Sequence, residues 1–162
     1  MSYSRTEDSA VDAPAARRIT GLRFNSFAAI VLTLLVFGLG TAVNLYTKLP
    51  ASDAGKSPFA AFAAAVTAGP VVLAVHAVLG TLLVVAAVTA VVRAALTRRI
   101  PMIVAAAIAL LAVLMAWFAG AGFVGHQTND ASLSMAIGAA VAILGYSVIL
   151  LIPPAERTQP RD

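Results

Sequence analysis

The chain has 162 residues, of which 60% are hydrophobic and 11% charged, with a formal net charge of +4 and no cysteine. Soluble domains carry about 25% charged residues, so this surface is not built for water. The missing cysteine excludes disulfides, thiolate metal sites and cysteine nucleophiles.

The charges are segregated. Residues 24–47, 57–92, 100–129 and 131–155 contain no Asp, Glu, Lys or Arg, and each window exceeds the ~20 apolar residues that span a bilayer core. In lipid only helices or closed barrels satisfy the backbone. Barrel strands alternate polar and apolar residues; the run Ile103–Phe118 does not, so helices are predicted. The basic residues flank these windows and do not interleave with aromatics. They therefore read as topology signals, and nucleic acid is not an expected partner.

In chain order, residues 1–18 are polar and small and are predicted to stay disordered. They are not a signal peptide, because the apolar segment that follows is too long for a signal core. The first helix is predicted from about Phe24 to Tyr46, stopped by Lys48 and Pro50. Residues 48–68 form the longest loop, whose second part, 57–68, reads as a short interfacial helix with Phe59 and Phe62 turned toward lipid or protein. The alternative is a longer second helix kinked at Pro70. The second helix runs from about Pro70 to Ala94, with proline at a favoured first-turn position. The third starts at Pro101 and ends near Val124. The residues GHQTND make a turn in which Asn129 or Asp130 caps a fourth helix over 131–152. Pro153 and Pro154 end it, and 154–162 is a solvated tail.

Nine basic residues lie on one side of this layout: Arg5, Arg17, Arg18, Arg23, Arg93, Arg98, Arg99, Arg157 and Arg161. Lys48 and Lys56 lie on the other. Positive residues stay cytoplasmic, so both termini are expected inside. The fold class is an all-α membrane protein, a four-transmembrane-helix antiparallel bundle. No repeat is convincing, although Gly38-Leu-Gly40 and Gly120-Ala-Gly122 sit at similar outer depths.

Polar groups inside a span are costly and therefore informative. His76 lies about two turns into the second helix, with Gly80 one turn later on the same face. An imidazole beside a flat glycine patch suits a haem ligand; the plain alternative is a neutral histidine bonded to a neighbouring helix. His126 sits at the outer mouth of the third helix, ~10 Å from the depth of His76, too far for both to clasp one iron easily. Met135, about one turn into the fourth helix, matches His76 better, and His/Met ligation is a haem arrangement; methionine also fills cores. Thr41, Asn44 and Tyr46 on the first helix, with Ser132 and Ser134 on the fourth, form a polar outer cluster, which interhelical hydrogen bonding alone would explain. Tyr146 and Ser147 lie deep on the inner side. Gly138 and Ala142 form a small-xxx-small pair that allows close helix approach.

No acid lies inside a span, which argues against proton- or sodium-coupled transport. No Ser/His/Asp set, HExxH motif or phosphate-cradling glycine loop is present.

Four helices with HAVLG near the outer end of the second, and small residues in the first, resemble half of a haem A synthase and four-helix b-type cytochromes. The same pattern is similar to small uncharacterised bacterial membrane proteins carrying NLYTKLP after helix one, GPVVLAVHAVLG, and a glycine-rich outer end of helix three. The resemblance covers about residues 24–152. It implies haem as a cofactor, with His76 as ligand; the second histidine that the synthase half carries in its fourth helix is missing here. The Ala/Val/Arg bias, with Arg over Lys, resembles that of a GC-rich bacterial genome, and the expected location is a bacterial plasma membrane. Three functions follow: a non-enzymatic membrane subunit or assembly factor, a haem-binding protein, and a small-solute permease. The expected partners are the lipid bilayer and a membrane protein or a second copy of the chain.

Overall fold

The structure, a computed structural model, describes residues 5–49, 51–126 and 128–153. These form α1 (Arg5–Tyr46), α2 (Pro58–Thr67), α3 (Val71–Thr97), α4 (Ile100–His126) and α5 (Asn129–Leu151), with a 3-10 turn at Ala51–Asp53 and no strand among the described residues. Among the described residues, four helices are long and apolar enough to cross a membrane: α3, α4, α5 and α1 over Ala16–Tyr46. Their outward faces are apolar, with Leu35, Leu82, Leu111 and Leu144 all more than half exposed. Water does not tolerate such continuous apolar surface, and lipid does. The chain therefore has the character of a multi-pass membrane protein.

Several boundaries differ from the sequence expectation. The first helix begins at Arg5, so 5–18, expected to be disordered, continue α1; residues 1–4 and the 154–162 tail lie outside the described residues. A helix anchored by packing propagates cheaply into an alanine-rich flank. The cap of α5 is Thr128, whose hydroxyl accepts from Ala131 N–H, and neither Asn129 nor Asp130. α4 runs on to His126, which is its last residue and not part of a turn. α3 ends at Arg98, which adopts the left-handed region (φ 55°) as the C-cap.

α2 and α3 are separate helices. Pro70 takes an extended conformation (φ −54°, ψ 144°) at the start of α3, and a proline has no N–H to continue α2. Gly69 is required at this joint, because a Cβ there would stand 2.5 Å from the Ala65 carbonyl oxygen.

The four long helices pack in a ring, α1 on α3, α3 on α4, α4 on α5 and α5 on α1. Arg18 meets Leu96, Asn25 meets Ala86 and Val36 meets His76, so residue numbers rise along α1 as they fall along α3. Alanine dominates the contacts: Ala87, Ala90, Ala106, Ala109 and Ala142 are fully buried. A Cβ at Gly138 would stand 2.7 Å from the Ala112 carbonyl, and one at Gly145 would stand 3.0 Å from that of Ala105. These bare positions let α4 and α5 approach backbone to backbone, the close packing that small residues permit in lipid. At the end holding Arg18, Arg23 and Arg99 cap the C-terminus of α5 by donating to the carbonyls of Ile152 and Pro153, as cations do at helix C-termini.

The opposite end is closed differently. α2 buries Ala61 and Ala65 against Val43, Leu73 and Val124, from α1, α3 and α4. The loop before it is pinned by Gly55 N–H to the Gly125 carbonyl (3.0 Å) and by the Asp53–Lys56 ion pair (2.5 Å).

Candidate functional site: a half-bundle cavity around His76

Under α2 the long helices separate around a cavity of about 310 Å³. On α5 its lining extends from Ser132 to Ala142, ~15 Å along the axis. All four long helices contribute, and Phe62 and Ala65 of α2 also line it. On the α1 side, the lining residues Phe37, Thr41, Asn44 and Leu45 are exposed, so the cavity opens beside α1. Its walls are almost wholly apolar.

His76, half-buried on α3, is held by two features of α1. Its Nδ1 lies 3.0 Å from the Val36 carbonyl oxygen. A carbonyl can only accept, so Nδ1 carries the proton and Nε2 the lone pair. The ring also lies against Gly40, where a Cβ would stand 2.8 Å from Cε1 and 3.6 Å from Nε2. Glycine at 40 is what admits the imidazole. The predicted neighbour, Gly80, lines the cavity instead, and a Cβ there would meet nothing within 4 Å. The platform for His76 thus comes from α1, not from one turn along its own helix.

Most other lining polar groups are satisfied locally. Thr41 donates to the Phe37 carbonyl (3.0 Å) and Thr33 to that of Ala29 (2.7 Å). The Trp117 indole N–H donates at 3.2 Å to the hydroxyl of Thr81, which stands outside the lining and itself donates to the Ala77 carbonyl. This is the back-bonding that hides hydroxyls in apolar helices. Asn44 and Ser132 line the cavity with no side-chain hydrogen bond among the described residues. Met135 lines it too, with Sδ resting on α4 3.3 Å from where a Gly120 Cβ would be.

The structure therefore brings His76, Met135, Thr41, Asn44 and Ser132 to one space and leaves the other candidates out. Ser134 does not line the cavity, and His126 stands exposed at the end of α4, so the two histidines do not share it. Tyr46 is 84% exposed. Tyr146 is fully buried in the core at the other end, with its hydroxyl unpaired among the described residues.

Trp117 was not legible as a site residue. It lines the cavity and sits in an aromatic group, with ring centroids 5.8 Å from Phe59, 5.5 Å from Phe62 and 5.2 Å from Phe118. Phe62 is half-buried and turned toward protein, whereas Phe59 touches Trp117 and Phe118 and leaves most of its surface exposed; both rings seat α2 on α4. No group of three His, Cys, Asp or Glu side chains that would hold a metal occurs among the described residues. The arrangement suits binding: an apolar chamber, in the size range of about 300–1,000 Å³ typical of ligand sites, with few convergent polar groups.

No family model, curated protein or solved structure matches this chain.

Proposed function

We propose that this chain is a four-span antiparallel bundle of a bacterial plasma membrane, with both termini cytoplasmic and α2 at the outer interface. It acts without catalysis, as a membrane subunit or assembly factor that holds an apolar molecule in the cavity under α2. The cavity itself carries the reading: about 310 Å³ of apolar space with His76 on its wall and local bonds occupying most of the other polar groups. Such a chamber accepts an apolar body bearing one hydrogen-bond donor, directed to Nε2. The charge asymmetry of nine basic residues against two supports the orientation.

Native mass spectrometry of the protein extracted in a mild detergent tests it. The expected result is one retained small molecule that is lost in Ala77→Phe, which fills the chamber. An identical spectrum for both proteins, with detergent and bulk lipid only, would overturn the reading.

A haem-binding function is the second reading, favoured by one observation. His76 gives its Nδ1 proton to a backbone carbonyl, the support that orients ligating imidazoles and leaves Nε2 free for a metal. His76 and Met135 would hold the iron, and the haem would supply electron-transfer chemistry. A Soret band that disappears in His76→Ala is the expected signature. A colourless preparation from haem-replete cells would end this reading.

A further inference from the structure

The second site lies at the other end of the bundle, on the outer surface between α1 and α3. A groove there is lined by Arg18, Val88, Thr89, Val92, Arg93 and Leu96. The two arginines cross between the helices in opposite senses. Arg18 donates through one guanidinium nitrogen to the Leu96 carbonyl at 3.3 Å. Arg93 reaches back to α1, where its Nη1 lies 2.6 Å from the place a Gly21 Cβ would occupy. Gly21 thus gives the Arg93 guanidinium its seat, and each arginine is drawn toward the other's helix.

Arg93 is the first charged residue after the apolar window 57–92, and Arg18 lies on the polar side of the window that begins at residue 24. The groove therefore lies at the edge of the spanning region. Both arginines are exposed, and Thr89 hides its hydroxyl on the Val85 carbonyl. The acidic residues whose side chains are described, Asp53 and Asp130, belong to the α2 end. Below the arginines the exposed side chains of Val92, Val88, Val85 and Leu82 form an apolar stripe along α3, with helical spacing. Two guanidiniums above an aliphatic track match a phosphodiester above an acyl chain.

We propose that this groove binds an anionic phospholipid, its phosphate between Arg18 and Arg93 and one acyl chain along the α3 stripe. The inference rests on the membrane reading and is independent of the cavity.

The full chain, purified in a zwitterionic detergent, is exchanged against phosphatidylglycerol or phosphatidylcholine, and retained lipid is counted by native mass spectrometry. Wild type should retain one phosphatidylglycerol in preference to phosphatidylcholine. The double variant Arg18→Gln, Arg93→Gln should lose that lipid roughly thirty-fold, at about 1 kcal/mol per arginine near a membrane surface. The charge-matched control Arg17→Gln, Lys48→Gln should keep it. Inorganic phosphate at millimolar concentration should not displace it, because phosphate has no chain for the stripe. Equal retention of both lipids by wild type, equal loss in both double variants, or displacement by inorganic phosphate would each overturn the proposal. The wild-type comparison alone decides if the arginine variant fails to fold. Recovery of the protein in the membrane fraction without lipid selectivity would sink this site and leave the membrane reading intact.

Discussion

The imidazole of His76 rests on Gly40: a Cβ at position 40 would stand 2.8 Å from His76 Cε1. The two residues lie on α3 and α1, and a hydrogen bond from His76 Nδ1 to the Val36 carbonyl fixes the ring beside that glycine. The glycine and the histidine form one unit, which supplies the cavity's unpaired nitrogen acceptor.

Enlarging Gly40 should therefore act through His76. Gly40→Val is expected to destabilise the protein by about 1–3 kcal/mol, the usual result of overpacking. In a His76→Ala background most of that cost should vanish, since residues in contact are not additive. Thermal denaturation of the four proteins in detergent gives the cycle. Additive effects would mean that the ring does not occupy the space above Gly40.

The α4–α5 contact makes a second forecast. Gly145 faces the Ala105 carbonyl and the Ala109 Cβ, where an added Cβ would stand at 3.0 and 3.1 Å. Backbone cannot move aside as a flexible side chain can, so Gly145→Leu should lower stability by roughly 1–3 kcal/mol or more. Gly38 meets nothing within 4 Å, and Gly38→Leu should leave stability almost unchanged. Equal losses at both positions would contradict the packing.

The placement of α2 predicts a labelling pattern. Ala60 and Ala63 are exposed, whereas Ala61 and Ala65 are buried. With no native cysteine to remove, single cysteines at 60 and 63 should react with a membrane-impermeant maleimide added from outside. Cysteines at 61 and 65 should be protected. Labelling of 60 and 63 only from the cytoplasmic side would reverse the proposed topology.

The four spans were legible because charge-free windows longer than a bilayer core leave few alternatives. The inward face of each helix was not. Alanine, valine and leucine occur on every side of these helices, so no apolar stripe marks the packed face, and alanines carry the contacts. His76 stood out as the imidazole well inside a span. Its glycine platform was sought at Gly80, the local i+4 neighbour, because a contact between α1 and α3 across 36 residues leaves no local trace. The aromatic seat of α2 escaped for the same reason: Phe59, Phe62 and Trp117 meet only in three dimensions. At the start of α5, Thr128, Asn129 and Asp130 are all good caps; the chain places Thr128 in the extended conformation a cap requires.

Trp117 is the single tryptophan of the chain and lines the cavity, so its fluorescence reports directly on whether the chamber binds an apolar molecule through His76. The probe is 4-bromophenol, whose bromine quenches indole emission and whose hydroxyl donates, compared with 4-bromoanisole, which has no donor. Saturable quenching is expected, tighter for the phenol by about three- to tenfold, the worth of one net hydrogen bond. His76→Ala should erase that difference, and Ala77→Phe should abolish saturation. Quenching that rises linearly with both probes, at the same slope in wild type and in Ala77→Phe, would contradict a binding chamber around His76.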